Sequence, residues 1–457
     1  MTTWTSQMDQ LIAPAVARSD VTDEVVVGAG RLAETGALVR RMTDCSRVLL
    51  CADNAGFAAA GHVVQTSLEA AGFEVQAHVL PAVPLPKASV EEAEPFRAAL
   101  AADPSLFPVS VGSGVINDLT KYAAFKTDRR YVTVATAASM DGYTSAGAPL
   151  AKNGFKVTIP TRAPIAMLAD LNVIETAPAE MNGWGYGDLA GKVPAGGDWI
   201  LADALGVEPI DKVAWSMVQD HLKGWLGRPE GIASGDRDSI ARLYVGLTAV
   251  GFAMEAHGSS RPASGADHQI AHMWEMEGHS YQGRKVSHGA AVSVGCVASL
   301  ALFDWLLGQN LSRLDSKAIV QHTPSLQDCE KALGSAIADP KIAKKARDEL
   351  AAKFAAPAVH TARLQRLQSV WPALRDRLET HLYRHKTMAD MLQKAGAPAY
   401  AWEIGVTPDH LLATMRAAAF IRRRYTIFDL LHDIGQTEAA FAAVLPLLTP
   451  QSTELAS

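Results

Sequence analysis

Between about residue 24 and residue 175, short β-branched runs alternate with longer amphipathic stretches. The strand candidates are EVVVG at 24–28, RVLLCA at 47–52, FEVQAHVL at 73–80, FPVSVG at 107–112, YVTVAT at 131–136 and FKVTIP at 155–160. Strands separated by helix-length segments predict βαβ units and a parallel sheet. Beyond about residue 176 the apolar period becomes helical, as in DSIARLYVGLTAVGFAMEAHG (238–258), KKARDELAAKFAA (344–356), HTARLQRLQSVWPALRDRLETHLYRHKT (360–387) and TPDHLLATMRAAAFIRRR (407–424). The pattern predicts an α/β domain over residues 1–178 and an all-α domain over 179–457. The longest apolar run, Gly289 to Gly308, approaches membrane length, but Asp304 and several small residues make it a buried helix.

Composition narrows the classes of partner. A formal net charge of -6, with no run of lysines or arginines long enough to coat a phosphate backbone, argues against nucleic acid and against insertion into a membrane. A small molecule is the expected partner. Cys45, Cys51, Cys296 and Cys329 lack CxxC spacing and read as ordinary thiols in a reducing cytoplasm. The start MTTWTSQMDQ has no basic region before an apolar core, so no secretory signal is expected.

Candidate chemistry begins at FPVSVGSGVINDLTKYAAF, where a β-rich run meets Gly112, Ser113 and Gly114 and then a helical pattern containing Asn117 and Asp118. Glycines let backbone approach a diphosphate, and the amides and dipole at a helix N-terminus attract its charge; a plain strand-to-helix turn reads the same way. VVVGAGRLAETG is a second glycine turn with the same two readings. Asp53, at the end of RVLLCAD, stands where an acidic residue hydrogen-bonds an adenosine ribose and disfavours a 2'-phosphate, which favours NAD over NADP. The α/β domain is thus expected to be Rossmann-like.

The second concentration of chemistry is GADHQIAHMWEMEGHSYQGRKVSHGAA, residues 265–291, with His268, His272, His279 and His288. His268 and His272 share one helix face at a spacing of four. Gly278 and Gly283 then break the helix and deliver His288 at the head of the apolar run. Two imidazoles from separate elements plus a carboxylate make an open site for a divalent ion, and NGWGYGDLAGK offers Asp188. On spacing alone the histidines are equally readable as hydrogen-bonded core or surface residues.

Taken in order, these segments resemble the glycerol-1-phosphate dehydrogenases, of the bacterial arabinose-operon type. That family sits in the superfamily of iron-containing alcohol dehydrogenases, glycerol dehydrogenase and 3-dehydroquinate synthase. The motifs are GSGVINDLTK (112–121), TAASMDGYTS (136–145), GYGDLAGK (185–192) and GSSRPASGADHQIAH (258–272) with HGAAVSVG (288–295). KAGAPAYAWEIGVTPDHL (394–411) and IRRRYTIFDLL (421–431) look like the same bacterial group. The resemblance implies a dehydroquinate synthase-like fold, with Asp188, His268 and His288 as metal ligands and His272 beside the substrate. It implies cofactor contacts from Gly112, Ser113, Gly114, Val115, Ile116, Thr136, Ser139 and Ser145, and substrate contacts from Asp118, Asp141 and Asp188. His279 matches no motif and is expected in a solvated loop. Ser113 replaces a glycine common in relatives, and Ala290 replaces a glutamate that would fix the tautomer of a ligating imidazole.

The implied reaction is NAD- or NADP-linked reduction of dihydroxyacetone phosphate to sn-glycerol 1-phosphate with one divalent ion, zinc, nickel or iron. Lys192 and Arg261 are the first choices for the phosphate end, ahead of Arg284 and Lys285; each base also reads as a solvated surface group. Catalysis would rest on His272, Asp141 and Asp188. A dehydrogenase of another polyol or polyol phosphate would carry the same motifs, and a non-catalytic NAD-binding regulatory protein would not need the ligand set. The resemblance also implies a cytoplasmic homodimer or larger homo-oligomer.

Overall fold

The protein is described here from a computed structural model covering residues 3–152, 155–337 and 339–449. The chain forms two compact units, Met1–Leu189 with Ser216–Ser259, and Ala190–Trp215 with Ser260–Ser457.

The first unit is built on a parallel sheet. Its strands are β1 (Glu24–Gly28), β2 (Arg47–Asp53), β3 (Glu74–Leu80), β4 (Leu106–Gly112), β5 (Val132–Ala135) and β8 (Ala166–Asp170), in the order β1-β8-β5-β4-β2-β3. Val48, Leu50, Val109, Val111, Val132, Val134 and Leu168 belong to one apolar cluster, and Leu49, Cys51, Phe96, Ile116 and Leu119 to another. Strands covered on both faces have continuous apolar runs, which is why β2, β4 and β5 stand out in the sequence. Five of the six strand candidates lie in this sheet. The sixth, FKVTIP, forms β7 (Phe155–Pro160) and pairs antiparallel with β6 (Gly147–Lys152) in a separate two-stranded ribbon. The fold adds β6 and β8 to the candidates. Pro149 and Gly147 weaken the signal of the former, and the short, alanine-containing AMLAD of the latter lacks alternation.

After β2 the chain adds β3 on one side and then crosses to place β4 on the other. The carboxyl ends of β2 and β4 therefore flank a topological switch point, where open α/β sheets bind ligands. Asp53 and Gly112 stand at those two ends.

Among its described residues, the second unit is helical apart from a hairpin of Ser280–Tyr281 with Arg284–Lys285. Positive φ at Gly278, Gln282 and Gly283 turns the chain there, as the glycine spacing predicts. The apolar run forms the helix His288–Leu307, and 89% of its most apolar window is buried, so it is a core helix. The helical stretch expected over 360–387 is two helices. Pro357–His381 ends at an extended Leu382, and His385–Lys394 begins with Asp304 accepting from His385 N at 3.0 Å. The one carboxylate inside the apolar run thus caps the next helix.

The helices Ala266–Met276 and His288–Leu307 cross closely at Gly295, where a Cβ would lie 2.3 Å from the Asp267 carbonyl oxygen. Neither backbone can give way, so Gly295→Ala is expected to destabilise the fold by about 1–3 kcal/mol in urea or thermal unfolding. Gly334, inside the helix Leu326–Ala336, has nothing within 4 Å of the place a methyl group would occupy. Gly334→Ala should instead stabilise by about 0.5–1 kcal/mol.

Candidate metal and cofactor sites

In the first unit, β4 runs into the helix Gly114–Lys126 through Ser113, whose hydroxyl makes no capping hydrogen bond. The first amides of that helix are thereby left to a ligand, the usual arrangement of an anion site. Both glycines are needed: a Cβ on Gly112 would meet Ile116 Cβ at 2.7 Å, and one on Gly114 would meet Met140 Cε at 2.7 Å. Ile116 is fully buried in the core, so only its backbone serves the turn, with Val115 preceding it. Asp53 ends β2 and accepts from Gly56 N at 2.8 Å. Thr136 follows β5, and its N–H donates to the Gly112 carbonyl at 3.1 Å. Asp53, the 112–116 turn and Thr136 therefore share the carboxyl edge of the sheet. The second glycine turn is held by Asp170, which accepts from Gly30 N and Leu32 N, both at 2.9 Å, so those two amides already face a carboxylate.

The TAASMDGYTS segment is a buttressed loop. The fully buried Lys121 donates to the Gly142 and Gly147 carbonyls at 2.8 and 3.1 Å and lies 3.5 Å from Asp118. Burial pulls the Lys121 ammonium below its usual range, while Asp118 opposes the shift. The Tyr143 hydroxyl donates to Ala137 O at 3.1 Å, and the Ser145 hydroxyl donates to Gly142 O at 3.1 Å. Asp141 donates its N–H to the Asp188 carboxylate at 3.1 Å; Asp188 is fully buried in the helix Ala179–Ala190.

The second unit gathers three of the four clustered histidines. The ring of His268 lies 5.8 Å from that of His272 and 5.3 Å from that of His288, and His272 stacks on His288 at 5.8 Å. Ring nitrogens of His268 and His288 approach within 4.8 Å. Asp267 hydrogen-bonds His268 Nδ1, and Glu275 Oε1 lies 2.8 Å from His288 Nδ1. A carboxylate at Nδ1 places the proton there and leaves the Nε2 lone pair for a cation. Glu275 is almost fully buried and supplies to His288 the support that Ala290 does not.

His272 differs. Its Nδ1 lies 3.5 Å from Arg422 Nη2, and its Nε2 lies 4.0 Å from Glu275. With Nδ1 accepting from Arg422, the proton of the neutral ring falls on Nε2. Burial holds the ring neutral, well below the usual imidazole range; Glu275 opposes this, and Arg422, His268 and His288 reinforce it. Glu275 and His288 also have ligand atoms within 4.8 Å of His272, a second grouping suited to a cation. His279 is half-buried and its Nε2 bonds the Ile404 carbonyl at 2.7 Å, so it is a tethered residue where a solvated one was expected.

The bases expected at a phosphate separate clearly. Lys192 is fully buried at the start of the helix Lys192–Ala204, whereas Arg284 and Lys285 are exposed on the hairpin. Arg261 is buried and committed: Nη1 donates to Tyr425 O at 3.1 Å, Nη2 to Asp198 O at 3.0 Å, and Nε pairs with Glu208 at 3.2 Å. Its expected role as a phosphate ligand is therefore corrected to that of a framework residue, because its donors already face carbonyls and a carboxylate.

The model of the iron-containing alcohol dehydrogenase family matches residues 26–178. The glycerol-1-phosphate dehydrogenase [NAD(P)+] of Bacillus subtilis (strain 168) is 30% identical over 412 residues, covering 90% of this chain and 91% of that protein. The chain belongs to the glycerol-1-phosphate dehydrogenase family. Another member with that name, from Methanothrix thermoacetophila, is 34% identical over 283 residues, covering 62% of this chain and 77% of its own. Among solved structures, glycerol dehydrogenase from Schizosaccharomyces pombe aligns with a TM-score of 0.58 at 18% identity, covering 93% of this chain and 89% of that one; this establishes the shared fold.

Asp267, Glu275 and Arg422 were not legible as site residues. The first two look like solvated helix charges, and the third sits in a charge run. If Glu275 orients His288, Glu275→Ala should weaken zinc binding about 10- to 100-fold in a chelator competition. His279→Ala should leave it unchanged, and equal affinities for all three proteins would exclude the orienting role.

Proposed function

We propose that the protein is a metal-dependent, NAD(P)-linked sn-glycerol-1-phosphate dehydrogenase that reduces dihydroxyacetone phosphate. The observation that carries this reading, within the family assignment, is the pair of carboxylate–imidazole contacts that leave Nε2 of His268 and His288 available. In this reading Asp188 is the third ligand. Two neutral imidazoles and one carboxylate suit a divalent ion such as zinc, nickel or iron and leave it net positive. When bound, that ion would supply charge to stabilise an alkoxide, and the nicotinamide would carry the hydride.

The chain's own groups do the rest. His272, kept neutral by burial, relays a proton from solvent: it gives the Nε2 proton to the substrate oxygen as the hydride arrives and takes one up at Nδ1, so the ring stays neutral. Asp141, its backbone fixed by Asp188, orients a substrate hydroxyl, with Asp118 at the reacting end. The Gly112–Ile116 turn holds the diphosphate, and Thr136, Ser139 and Ser145 complete the cofactor's polar contacts. Asp53 beside the switch point accepts the ribose hydroxyls and disfavours a 2'-phosphate, so NADH is the preferred reductant. Lys192 is retained for the substrate. A cytoplasmic homodimer or larger homo-oligomer belongs to the same proposal.

Purified protein, reduced cofactor and dihydroxyacetone phosphate test it by loss of reduced-cofactor absorbance. Oxidation is expected with the phosphorylated ketone far above that with dihydroxyacetone. Equal rates would point to a dehydrogenase of another polyol, and bound cofactor without turnover would overturn the enzymatic reading. Asp188→Ala, His268→Ala and His288→Ala should each lose metal and activity together. His272→Ala should keep the metal, by elemental analysis, and lose about 100- to 10,000-fold in rate.

A further inference from the structure

The segment Ile421–Thr426 joins the helices Pro408–Ala418 and Ile427–Asp433 and carries three consecutive arginines. Two of them are spent on the framework. Arg423 faces Glu349, donating from its backbone N at 2.8 Å and from Nε and Nη2 at 3.1 and 3.2 Å. Arg424 donates from Nη1 to Ser264 O at 2.5 Å and to the Ser264 hydroxyl, and from Nη2 to Ser260 Oγ at 3.0 Å.

Arg422 is different. It is half-buried, and among the described residues its one hydrogen-bond contact is with His272 Nδ1 at 3.5 Å and no carboxylate oxygen lies within ion-pair distance of it. The two acidic groups that act on it from farther away, Glu349 and Glu275, are engaged by Arg423 and His288. Like charge surrounds it. Arg422 depresses the ammonium of Lys345, and together with Arg261 it helps lower the buried guanidinium of Arg424; in both, burial is the larger cause. A desolvated guanidinium with open donors and cationic neighbours is costly unless an anion completes it.

We infer that Arg422 is the specificity-determining residue for the substrate's phosphate, binding the phosphomonoester oxygens while His272 addresses the carbonyl end. The inference rests on the dehydrogenase reading above and replaces Arg261 in the part first expected of it. Geometry favours the exchange. Arg422 touches His272, which stacks on His288, so guanidinium and imidazole cluster face the same neighbourhood, whereas Arg261 spends its donors on bracing. A planar guanidinium binds a phosphate through two parallel N–H···O contacts, which Arg422 can make with Nε and Nη1 while Nη2 meets His272. The class of ligand is a phosphomonoester dianion on a short polyol or ketone.

The test uses the full chain, as wild type, R422Q and R422K, with two readouts. Thermal unfolding is followed against rising inorganic phosphate at fixed ionic strength, and kcat/KM is measured for dihydroxyacetone phosphate and for dihydroxyacetone. Phosphate should raise the Tm of the wild type. R422Q should lose that shift and lower the phosphorylated-to-unphosphorylated ratio of kcat/KM by about 10- to 100-fold, the range of one charge-assisted contact. R422K should recover part of both, and it carries the test if R422Q does not fold. A phosphate shift and ratio in the variants equal to those of the wild type would overturn the inference, as would a wild type that phosphate does not stabilise. Phosphate stabilisation that depends on Arg422 in a wild type with no dehydrogenase activity would instead keep the anion site and sink the proposed reaction. An active wild type with an indifferent Arg422 would do the reverse.

Discussion

The close crossing at Gly295 sets the chemistry of the second unit. The Asp267 carbonyl occupies the space of a side chain, so the helices Ala266–Met276 and His288–Leu307 approach at a distance only glycine permits. His268 and Glu275 come from one helix and His288 from the other, so the crossing fixes both the 5.3 Å spacing of the imidazoles and the 2.8 Å contact of Glu275 with His288. A larger residue at 295 would separate the donors before it disturbed their chemistry.

A second constraint supports the same helix. The fully buried Asp198 accepts from Ala266 N and Ile427 N, both at 2.7 Å, while its backbone carbonyl accepts from Arg261. One acidic residue thereby ties the start of the histidine helix to the helix that follows the arginine segment, and Arg261 holds that segment through Tyr425 O. Burial pushes the Asp198 carboxyl up to about 7, although its backbone donors and Arg261 pull the other way. Because the folded value exceeds that of an exposed aspartate, the contribution of this group is fullest in acid and declines as pH rises through about 7. The clamp is therefore one more reason why a guanidinium at Arg261 belongs to the framework.

How much was legible depends on how locally each feature is encoded. β2, β4 and β5 announce themselves because parallel strands buried on both faces need apolar, β-branched runs, and the partly exposed edge strands β1 and β3 still carry valines. β8 is as buried as β5 but is partly alanine and has no β-branched residue, so composition hides it. The helical spacing of His268 and His272 places both on one face, yet it could not separate their roles. That separation lies in which nitrogen meets which partner, and those partners are Glu275 and Arg422, the latter 150 residues away in the chain. Asp267 was hidden for another reason: adjacent helix residues do not ordinarily face each other, and its contact with His268 arises in the first turn, where Gly265 N also donates to its Oδ1 at 3.0 Å.

Ser113 and Ala290 show how a departure from a family pattern is to be weighed. Each looks like a loss when read at its own position. At 113 the residue precedes the helix in extended backbone with φ near -81°, a conformation open to any side chain, so serine costs the turn nothing; the two positions that do exclude a side chain, 112 and 114, have kept their glycines. At 290 the missing carboxylate is replaced through space by Glu275, one helix turn beyond His272 and already facing His288. The function of a position is thus conserved by geometry wherever a neighbour can deliver the same atom, and only contacts between backbones, as at Gly295, admit no such substitute.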